Sequence, residues 1–525
     1  MIGFCIGVVF KGLTYLAVAL IIYMVYKVLY KPWRFRQRYK GYANVHVSPK
    51  FIPVLGDISF FIQDIKQNRV FYDHLKDLQV EMTKKNTDLK AETIGIDPVI
   101  GIVSHKALKE VLDQSPKKID RADIDNTDFL RRARMKMAYG CYTNSPSTNR
   151  TLNRRKSTSK LFGMNKISKH VPMILQNSQR ILKEMKHQGT VDIKGIMALC
   201  LNRILMSILL GNDFETKIDA THQYLCNDGT TKQLDICNFF AKFTMDMTSE
   251  SGNLLTILFP ILNVTNIVNP WKRNHKNAIT LKNIMQQIIA RSEDKDSFWS
   301  QISQLNEFTD EEILADLMII LTAGSETSSN CFVAILYYLK KFPEVKQKLI
   351  QELEKIGITS DCDVEKMITA DNLQECDYLA NVVREALRID PPLAFTLWYQ
   401  AYEDTQICGV PIDKGTILRQ EVVGPNNDPN DWLDPHVFEP NRHNPDSEFY
   451  KKSQQAGKIA NAYSKRTFGH GARACPGALL ASLELKVFTA FFLTQMEYEV
   501  EKEDLENDHI GFGIGSLFSP KLTVS

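Results

Sequence analysis

The pattern of apolar and charged positions changes sharply within residues 1–40. No residue from Gly12 to Tyr26 is charged, and the apolar character continues past Lys27 to Tyr30. That run supplies the roughly 20 residues that a membrane-spanning helix needs. A basic stretch follows at once, and the positive-inside rule keeps such a stretch in the cytosol. The pattern predicts one N-terminal transmembrane helix, with the rest of the chain on the cytosolic side.

A cleaved signal peptide is the alternative for this segment, because Ala17-Val18-Ala19 resembles a cleavage site. That tripeptide lies inside the apolar run, and the dense positive charge comes after it; both features favour an uncleaved anchor. We expect the anchor over residues 1–30, a basic linker with a Pro/Gly hinge over 31–56, and one continuous domain over 57–525. The body is expected to hold no second apolar run of this kind.

Helical periodicity dominates the body from about Ser168 onward. Alternating positions around Asp97-Pro98 predict two strands joined by a turn within 92–104. Ser104 is placed to cap a short helix that follows, and further β-rich pieces fall near 397–417 and at the extreme C-terminus. The expected fold class is mainly α with a minor β portion.

The longest predicted helix runs from Thr309 to about Lys340. Thr309 and Glu312 have the spacing of a capping box, and ~1.5 Å per residue would carry the helix across the whole molecule. A glycine and a glutamate in the middle, within Ala323-Gly-Ser-Glu-Thr-Ser328, cost free energy in a buried helix. Either a polar stripe reaches the surface, or the backbone is opened for a ligand and bent by a threonine hydroxyl that bonds back to the chain.

Two further segments carry charged residues in ordered surroundings. Glu385 and Arg388 lie on one face of a helix that Pro391-Pro392 ends. Taken alone, they read as a surface ion pair worth about 0.5 kcal/mol or less. The segment from Asp431 to His443 has no clear period and predicts a long ordered loop.

Phe468-Gly-His-Gly-Ala-Arg-Ala-Cys-Pro-Gly477 is the segment richest in chemistry. An apolar helix follows it, so Cys475 is expected at a helix N-terminus that favours a thiolate, with Pro476 in the first turn. The glycines let the backbone approach a flat ligand, and Arg473 can reach an anionic group. Two functions stay open here: a nucleophilic cysteine with His470 as base, or the thiolate ligand of a haem iron.

Composition narrows the class of protein. The 525 residues are 44% hydrophobic and 24% charged, which is typical of a folded chain. The net charge of +3 (64 basic against 61 acidic residues) argues against a nucleic-acid-binding protein. Ten cysteines are scattered without zinc-type spacing, and we interpret them as reduced thiols.

Together these segments resemble the cytochrome P-450 haem-thiolate monooxygenases. Residues 468–477 match the family pattern Phe-x-x-Gly-x-Arg-x-Cys-x-Gly at every defined position, and 385–388 match its Glu-x-x-Arg helix. Residues 323–328 match its oxygen-binding helix, and 438–442 match the loop whose arginine joins the Glu/Arg pair. The resemblance extends over residues 1 to about 520, and the anchor is similar to that of the endoplasmic-reticulum members.

The resemblance implies a role for each matched residue. Cys475 would be the axial ligand of the iron of haem b, and its thiolate would favour O–O cleavage. Glu326 and Thr327 would deliver protons to bound dioxygen, and a network of Glu385, Arg388 and Arg442 would lie under the haem. Arg473 would pair with a haem propionate and Phe468 would shield the sulfur. The residues expected to bind the cofactor are Ala323, Phe468, Gly471, Arg473, Cys475 and Gly477.

The resemblance also implies an activity and partners. The expected reaction inserts one oxygen atom of O2 into an apolar small molecule of lipid, sterol or xenobiotic type, with NADPH electrons from a flavoprotein reductase. Cytochrome b5 is a second candidate partner, and the place is the endoplasmic reticulum membrane. A haem-thiolate isomerase or dehydratase that rearranges a peroxide, and a haem-based sensor, are the alternatives. The retained pair Glu326 and Thr327 favours the monooxygenase.

The sequence departs from the family at three places. His443 follows the loop arginine, where an aromatic residue is usual; 397–400 hold no basic propionate partner; and Thr151 stands where a tryptophan usually precedes Arg155. Two propionate contacts are therefore open, with Arg155, Trp398 and Tyr399 as candidates.

The sequence also predicts a substrate pocket and a docking surface. We expect the pocket that receives the substrate to draw on 118–147, the region before Gly324, 393–397 and 512–518. The expected landing site for an acidic reductase consists of Arg154, Arg155, Lys156, Lys465, Arg466 and Arg473.

Overall fold

The computed structural model describes most of the chain. Part of the predicted hinge, residues 124–139 of the predicted pocket segment 118–147, and the whole predicted pocket segment 512–518 lie outside the described residues. The described residues are 2–48, 51–53, 56–57, 71–94, 96–123, 140–251, 269, 271–506 and 520–524.

Helices form most of the described chain, as predicted. A π-helix, Tyr26–Tyr30, joins the first two α-helices without a break. The α-helices are α1 Ile2–Val25, α2 Lys31–Tyr39, α3 Phe71–Lys84, α4 His105–Gln114, α5 Asn149–Leu161, α6 Met164–Ile167, α7 Val171–Gln188, α8 Ile193–Leu210, α9 Ile236–Ser251, α10 Trp271–Arg291, α11 Phe298–Ser303, α12 Asp310–Lys341, α13 Pro343–Lys355, α14 Val364–Met367, α15 Ala370–Gln374, α16 Asp377–Ile389, α17 Val423–Asn426, α18 Glu448–Gln455, α19 Ala478–Gln495 and α20 Lys502–Glu506.

The strands make up a minor part and form small sheets. The largest has the order β1-β2-β3-β11-β8-β4, and a second has the order β12-β13-β5; β9 pairs with β10 and β6 with β7. The strands are β1 Val45–Val47, β2 Leu89–Ile94, β3 Asp97–Ile102, β4 Ile119–Arg121, β5 Thr190–Asp192, β6 His222–Leu225, β7 Thr231–Leu234, β8 Tyr399–Ala401, β9 Thr405–Ile407, β10 Val410–Ile412, β11 Ile417–Gln420, β12 Tyr498–Val500 and β13 Lys521–Val524.

The hairpin β2–β3 corrects the predicted turn. Asp97-Pro98 begins β3 instead of forming the turn, and Pro98 pairs with Thr93. Proline is tolerated at the start of a strand because the missing N–H costs little there. The predicted cap of α4 is confirmed, since the Ser104 side chain accepts from the Ala107 N–H at 3.1 Å.

The long helix α12 is the centre of the core. Its capping box is confirmed: Thr309 accepts from the Glu312 N–H, and the Glu312 carboxylate accepts from the Thr309 N–H at 2.9 Å. α12 packs against α8, α16 and α19, and side chains such as Leu321 and Phe332 are fully buried. The apolar faces of these helices exclude water from one continuous core.

The N-terminal helix is a candidate membrane anchor. The helix over Lys11–Tyr39 is apolar enough and long enough to cross a bilayer, and only 11% of its most apolar stretch of 18 residues is buried. The expectation that no second apolar run exists is wrong, because α8, α12 and α19 also have the required length and composition. The most apolar stretches of these three helices are 67%, 61% and 61% buried within the body, so their apolar surface already packs in the core.

The basic stretch after the anchor is helical and packs on the body. Within the predicted linker 31–56, helix α2 contacts β1, β2 and β3. The buried Arg36 guanidinium pairs with Asp57 at 2.8 Å, and the Tyr39 hydroxyl donates to the Pro411 carbonyl at 3.2 Å. These contacts tie the end of the anchor to the largest sheet.

Candidate functional site

The cysteine segment is a tight loop that leads into α19. The Cys475 N–H donates to the Phe468 carbonyl at 2.7 Å, which closes the loop. Gly469 and Gly471 both have φ of +67°, a conformation that favours glycine because it has no Cβ. α19 begins at Ala478 with Gly477 as its N-cap. Pro476, predicted in the first turn, therefore lies just outside the helix.

The Cys475 side chain is exposed, yet protein crowds it on most sides. This burial raises the pKa of its thiol, while the Gly477 N–H and Arg155 act in the opposite direction. The helix end acts in the predicted direction, because the N–H of the N-cap residue Gly477 lowers the thiol pKa, but desolvation of the charged sulfur outweighs it. A metal ligand is deprotonated when the metal binds, so coordination does not need a low thiol pKa.

His470 does not act as a base for this cysteine in the structure. Its Nε2 lies 2.9 Å from the Ala462 carbonyl oxygen, and burial lowers its pKa. Within the described ranges no hydrogen bond joins His470 to Cys475. The geometry thus gives no support to a nucleophilic cysteine with this histidine.

The middle of α12 presents Ala323 and Thr327 on one face, four residues apart. The Thr327 hydroxyl donates to the Ala323 carbonyl at 2.6 Å, as predicted. Ala323 is exposed and Thr327 is partly exposed, although the helix is otherwise largely buried. Glu326 is also partly exposed, and its carboxylate acts on Lys194 of α8: burial lowers the pKa of that lysine, and Glu326 opposes the shift.

The packing of α12 against α8 explains why position 324 is a glycine. A Cβ at this position would lie 2.8 Å from Leu205 Cδ1 of α8, so the glycine lets the two helices approach closely. Moreover, α12 stays α-helical from Asp310 to Lys341. The interpretation that the backbone is opened for a ligand stays a prediction, and the Thr327–Ala323 hydrogen bond on which it depends is present.

Helix packing brings the two motifs into one region. α12 and α19 are in contact, and the Ser328 hydroxyl donates to the buried Glu484 carboxyl at 3.3 Å. Ser328 follows Thr327, and Glu484 lies on the helix that Cys475 leads into. Burial raises the pKa of Glu484 to about 8, so at neutral pH this carboxyl is mostly protonated. No hydrogen bond or ion pair of the described residues joins Glu326 or Thr327 directly to 468–477.

A fully buried ion network lies beside the cysteine segment. Glu385 Oε1 accepts from Arg388 Nη2 and Arg442 Nε, each at 2.8 Å, and its Oε2 is 2.9 Å from His443 Nε2. These partners hold the pKa of Glu385 well below its usual value despite the opposing effect of burial. The surface ion-pair interpretation is wrong, and the unusual His443 is a fourth member of the network.

Asn426 links this network to the cysteine segment. Its backbone carbonyl accepts from Arg388 Nη1 at 2.9 Å, and its side chain donates to the Thr467 hydroxyl at 3.0 Å and accepts from the Arg466 N–H at 2.8 Å. Thr467 precedes Phe468. The network therefore fixes where the loop carrying Cys475 begins, because these hydrogen bonds join Asn426 to Arg388, Arg466 and Thr467.

Much of the predicted landing site is buried. Arg154 pairs with Asp316 of α12 at 2.6 Å, and Arg466 donates to the Ile102 and Val103 carbonyls at 2.8 and 2.6 Å. Arg473 is also only 8% exposed. These three arginines are buried, so their prediction as members of a docking face is wrong.

Arg155 and Arg473 do approach the region of the cysteine. Arg155 Nη2 donates to the Ala474 carbonyl, which joins α5 to the cysteine loop. Arg473 Nη1 donates to the Tyr142 carbonyl at 3.1 Å, whereas its buried Nε has no hydrogen-bond partner within the described part of the chain. The family's tryptophan position, Thr151, instead completes the capping box of α5.

The sequence did not single out Arg121, Asn426 or Glu484. Arg121 is the last residue of β4 and is 6% exposed, and Glu484 is 1% exposed. Their local sequence gives no signal of burial, because an arginine at the end of a short strand and a glutamate in an apolar helix are equally compatible with a surface. Asn426 was hidden in a segment without periodicity.

Comparison with known proteins gives consistent matches. The family model described as Cytochrome P450 matches residues 49–523. Cytochrome P450 3A6 of Oryctolagus cuniculus is 24% identical over 72% of this chain and 77% of its own length. Isoflavone 3'-hydroxylase of Medicago truncatula is 26% identical over 64% of this chain and 65% of its own. Sterol 14alpha-demethylase of Mycolicibacterium vanbaalenii is 24% identical over 65% and 70%.

Proposed function

This chain belongs to the cytochrome P450 family and is a haem b monooxygenase of lipophilic substrates, and we propose that NADPH electrons reach it through a flavoprotein reductase. The reaction proposed is the insertion of one atom of O2 into an apolar small molecule of lipid, sterol or xenobiotic type. The proposed place is the endoplasmic reticulum membrane, with residues 57–525 as a catalytic domain facing the cytosol and cytochrome b5 as a second electron donor.

The described residues fit a haem. Cys475 is exposed in a loop whose glycines keep side chains away, and it is our candidate for the axial iron ligand. Unpaired guanidinium nitrogens lie close by, in Arg473 among others, and guanidinium is well matched to a carboxylate. When haem is bound, its iron supplies the oxygen-activating chemistry; Phe468, Gly471 and Gly477 form the loop against which we place it, opposite Ala323.

Proton delivery is the task that we assign to Thr327 and Glu326. The Thr327 hydroxyl donates a hydrogen bond to the Ala323 carbonyl at 2.6 Å. This bond fixes the position of the hydroxyl oxygen, whose lone pairs can then accept a hydrogen bond from water. A water positioned in this way can donate to a reacting oxygen, and the neighbouring Glu326 can replace the proton from solvent. The hydroxyl–carbonyl bond on the exposed face of α12 is the observation that carries this proposal.

Replacing Thr327 by alanine tests the assignment. We expect haem and substrate binding to survive, because the sulfur and the apolar surroundings are unchanged. NADPH consumption should continue while product per NADPH falls and hydrogen peroxide rises; general acid help is worth roughly 100- to 10,000-fold. The measurement is the yield of product and of peroxide per NADPH in the reductase-reconstituted enzyme.

Thr322→Ala is the matched control on the same helix. The Thr322 hydroxyl also donates to the carbonyl four residues earlier, that of Met318, at 2.8 Å, so the control removes the same type of bond. It should keep the wild-type yield. A Thr327→Ala enzyme with the wild-type yield would disprove the proton-delivery role, and turnover of a peroxide without reductase would favour an isomerase.

We expect the reductase to dock on the surface of the molecule that includes α5. With Arg154 and Arg466 buried, Lys156 and Lys465 are the exposed members of the predicted landing site. An acidic partner steered by them would transfer electrons more slowly as salt rises. We expect Lys156→Glu to slow the first electron transfer at low salt and to leave the haem spectrum unchanged; equal rates would exclude this docking face.

A further inference from the structure

Two arginines on one face of α5 meet two carboxylates on one face of α12. Arg150 and Arg154 are four residues apart, so their side chains lie on one side of α5. The same spacing brings Glu312 and Asp316 to one side of α12. The Arg150 guanidinium donates to both carboxylate oxygens of Glu312, at 2.5 and 2.6 Å. The Arg154 guanidinium likewise donates to both oxygens of Asp316, at 2.9 and 2.6 Å. Such bidentate contacts fix the direction of each arginine as well as its distance.

The inner pair of Arg154 and Asp316 is buried, with exposures of 4% and 5%. The Arg154 guanidinium also donates to the Gly140 and Glu312 carbonyls, at 3.0 and 2.9 Å. Asp316 Oδ1 accepts a further bond from the Tyr142 N–H at 2.9 Å. Loss of the carboxylate charge would leave a desolvated cation without its counter-ion, which is costly. This pair therefore determines how α5 is oriented against α12.

The orientation of α5 decides where its next two side chains point. Successive residues of a helix are turned by about 100°, so Arg154, Arg155 and Lys156 leave α5 in three directions. Arg154 points into the core, whereas Lys156 is exposed. Arg155 Nη2 donates to the Ala474 carbonyl of the cysteine loop. A rotation of α5 would displace Lys156 on the surface and break the bond to Ala474.

We propose that Asp316 is a positioning residue for electron entry, and that it acts through Arg154. It holds α5 in the orientation that presents Lys156 to the reductase. The inference rests on the proposed docking of the reductase on the surface that includes α5, and it adds a buried residue that does not touch the partner. A neutral side chain at position 316 should weaken docking. A small chemical reductant, which needs no docking, should reduce the haem as before.

The test compares reduction by the reductase with reduction by dithionite in the full-length, haem-loaded enzyme. Asp316→Asn keeps the size of the side chain and removes its charge. We expect the first electron transfer from the reductase at low salt to slow about threefold or more, a part of the roughly 10- to 1,000-fold that charge steering contributes to association. The KM for the reductase should rise while kcat at saturating reductase stays the same. Dithionite reduction and the ferrous carbonyl spectrum should match the wild type.

The direction of the change separates positioning from charge. Asp316→Asn makes the enzyme more positive by one charge, so charge alone would speed the approach of an acidic reductase. Asp363→Asn is the matched control, because it makes the same change of charge in the exposed ion pair of Asp363 and Lys366, which are 2.7 Å apart. This control should react at the wild-type rate or faster. Asp316→Glu restores the carboxylate and should recover part of the rate.

A pH profile of the wild type tests the same role without a stable Asp316→Asn protein. Burial raises the pKa of Asp316 to about 6, although Arg154 and the Tyr142 N–H oppose the shift. Glu312 also acts on Asp316, and the neighbouring Cys141 thiol stays neutral because burial raises its pKa. As the pH falls through about 6, reduction by the reductase should slow relative to reduction by dithionite. The double variant Arg154→Leu with Asp316→Leu removes the titrating carboxyl and should lack this fall.

The outcomes that overturn the proposal are distinct from failure of the docking surface. A wild-type rate with the reductase for Asp316→Asn would overturn the positioning role, and so would equal pH profiles of the wild type and the double variant. Slower dithionite reduction of Asp316→Asn would also overturn it, because it would show a change at the haem. A wild-type rate for Lys156→Glu would instead refute the docking surface on which the proposal rests.

Discussion

At the scale of single residues, His443 shows how a departure from a family pattern is accommodated. Its Nε2 lies 2.9 Å from Glu385 Oε2, and its ring packs edge-on against Trp432. Burial lowers the pKa of His443 to about 4, although the Glu385 carboxylate raises it. The imidazole is therefore neutral at pH 7 and serves as a hydrogen-bond donor to a carboxylate that two arginines already balance.

The shifted pKa of His443 predicts a pH dependence of stability. Between its ordinary value of 6.5 and about 4, the unfolded chain binds a proton that the folded protein does not. Stability should therefore be full above pH 6.5 and fall as the pH is lowered towards 4. His443→Gln keeps a donor but cannot titrate, so its urea midpoint should fall less over this range. Parallel curves for the two proteins would contradict the assignment.

The roles of residues in strict sequence motifs could be predicted, whereas contacts between segments far apart in the sequence could not. The spacing of 468–477 identified Cys475, and the spacing of Glu385 and Arg388 identified an ion pair. The burial of that pair, the place of His443 in it and the pairing of Arg154 with Asp316 depend on chain segments far apart in sequence. Local pattern carries no information on such contacts, because they arise only when strands and loops come together.

At the scale of elements, the close approach of α8 and α12 depends on Gly324. A Cβ there would lie 2.8 Å from the buried Leu205, and the side-chain face of Ala323 and Thr327 is presented by the same stretch of helix. The glycine therefore leaves room for the Leu205 side chain between two core helices near the candidate site. The local sequence could not reveal this packing role of Gly324, because contacts between helices are invisible in the sequence of one helix.

This packing predicts that a larger residue at position 324 partly compensates for a smaller residue at position 205. Gly324→Val should destabilise the protein by roughly 1–3 kcal/mol, since an overpacked core must shift, and Leu205→Ala by about 2–5 kcal/mol through a cavity. The double variant should lose less than the sum, because the new methyl groups fill the space that the leucine left. Chemical denaturation of the four proteins measures the coupling energy. Strict additivity would show that the two side chains do not meet.

Helices were predicted better than strands at this scale. The capping box of Thr309 and Glu312, and the N-cap Ser104, are local signals that fix where α12 and α4 begin. The turn between β2 and β3 was misplaced because Asp97-Pro98 is a turn signal in isolation. Pairing with β2 overrides that local preference.

At the scale of the whole molecule, the candidate anchor and the body form a continuous structure. Helical backbone runs from α1 through the π-helix to α2, and Arg36 and Tyr39 attach α2 to the sheet region. The apolar side chains of the anchor, such as Leu16 and Ile21, are exposed. A bilayer would cover these side chains, and the attached body would then sit at a fixed depth at the membrane surface.

This arrangement predicts a definite topology. The full-length protein should resist extraction of microsomes with alkaline carbonate, because the candidate anchor has the roughly 20 apolar residues that a spanning helix needs. Protease added to sealed microsomes should digest the body without detergent, because the proposed topology leaves the body on the cytosolic side. Protection of the body inside the vesicles would reverse the topology, and release by carbonate would exclude a spanning helix.

The most direct test of the account is the ferrous carbonyl spectrum of Cys475→Ser. Because Cys475 is proposed as the sulfur ligand of the haem iron, the wild type should show the strongly red-shifted band of a thiolate-bound haem and the variant should lack it. Cys408→Ser, which changes a partly exposed cysteine after β9, should keep the band. A Cys475→Ser protein that retained the red-shifted band would contradict the account.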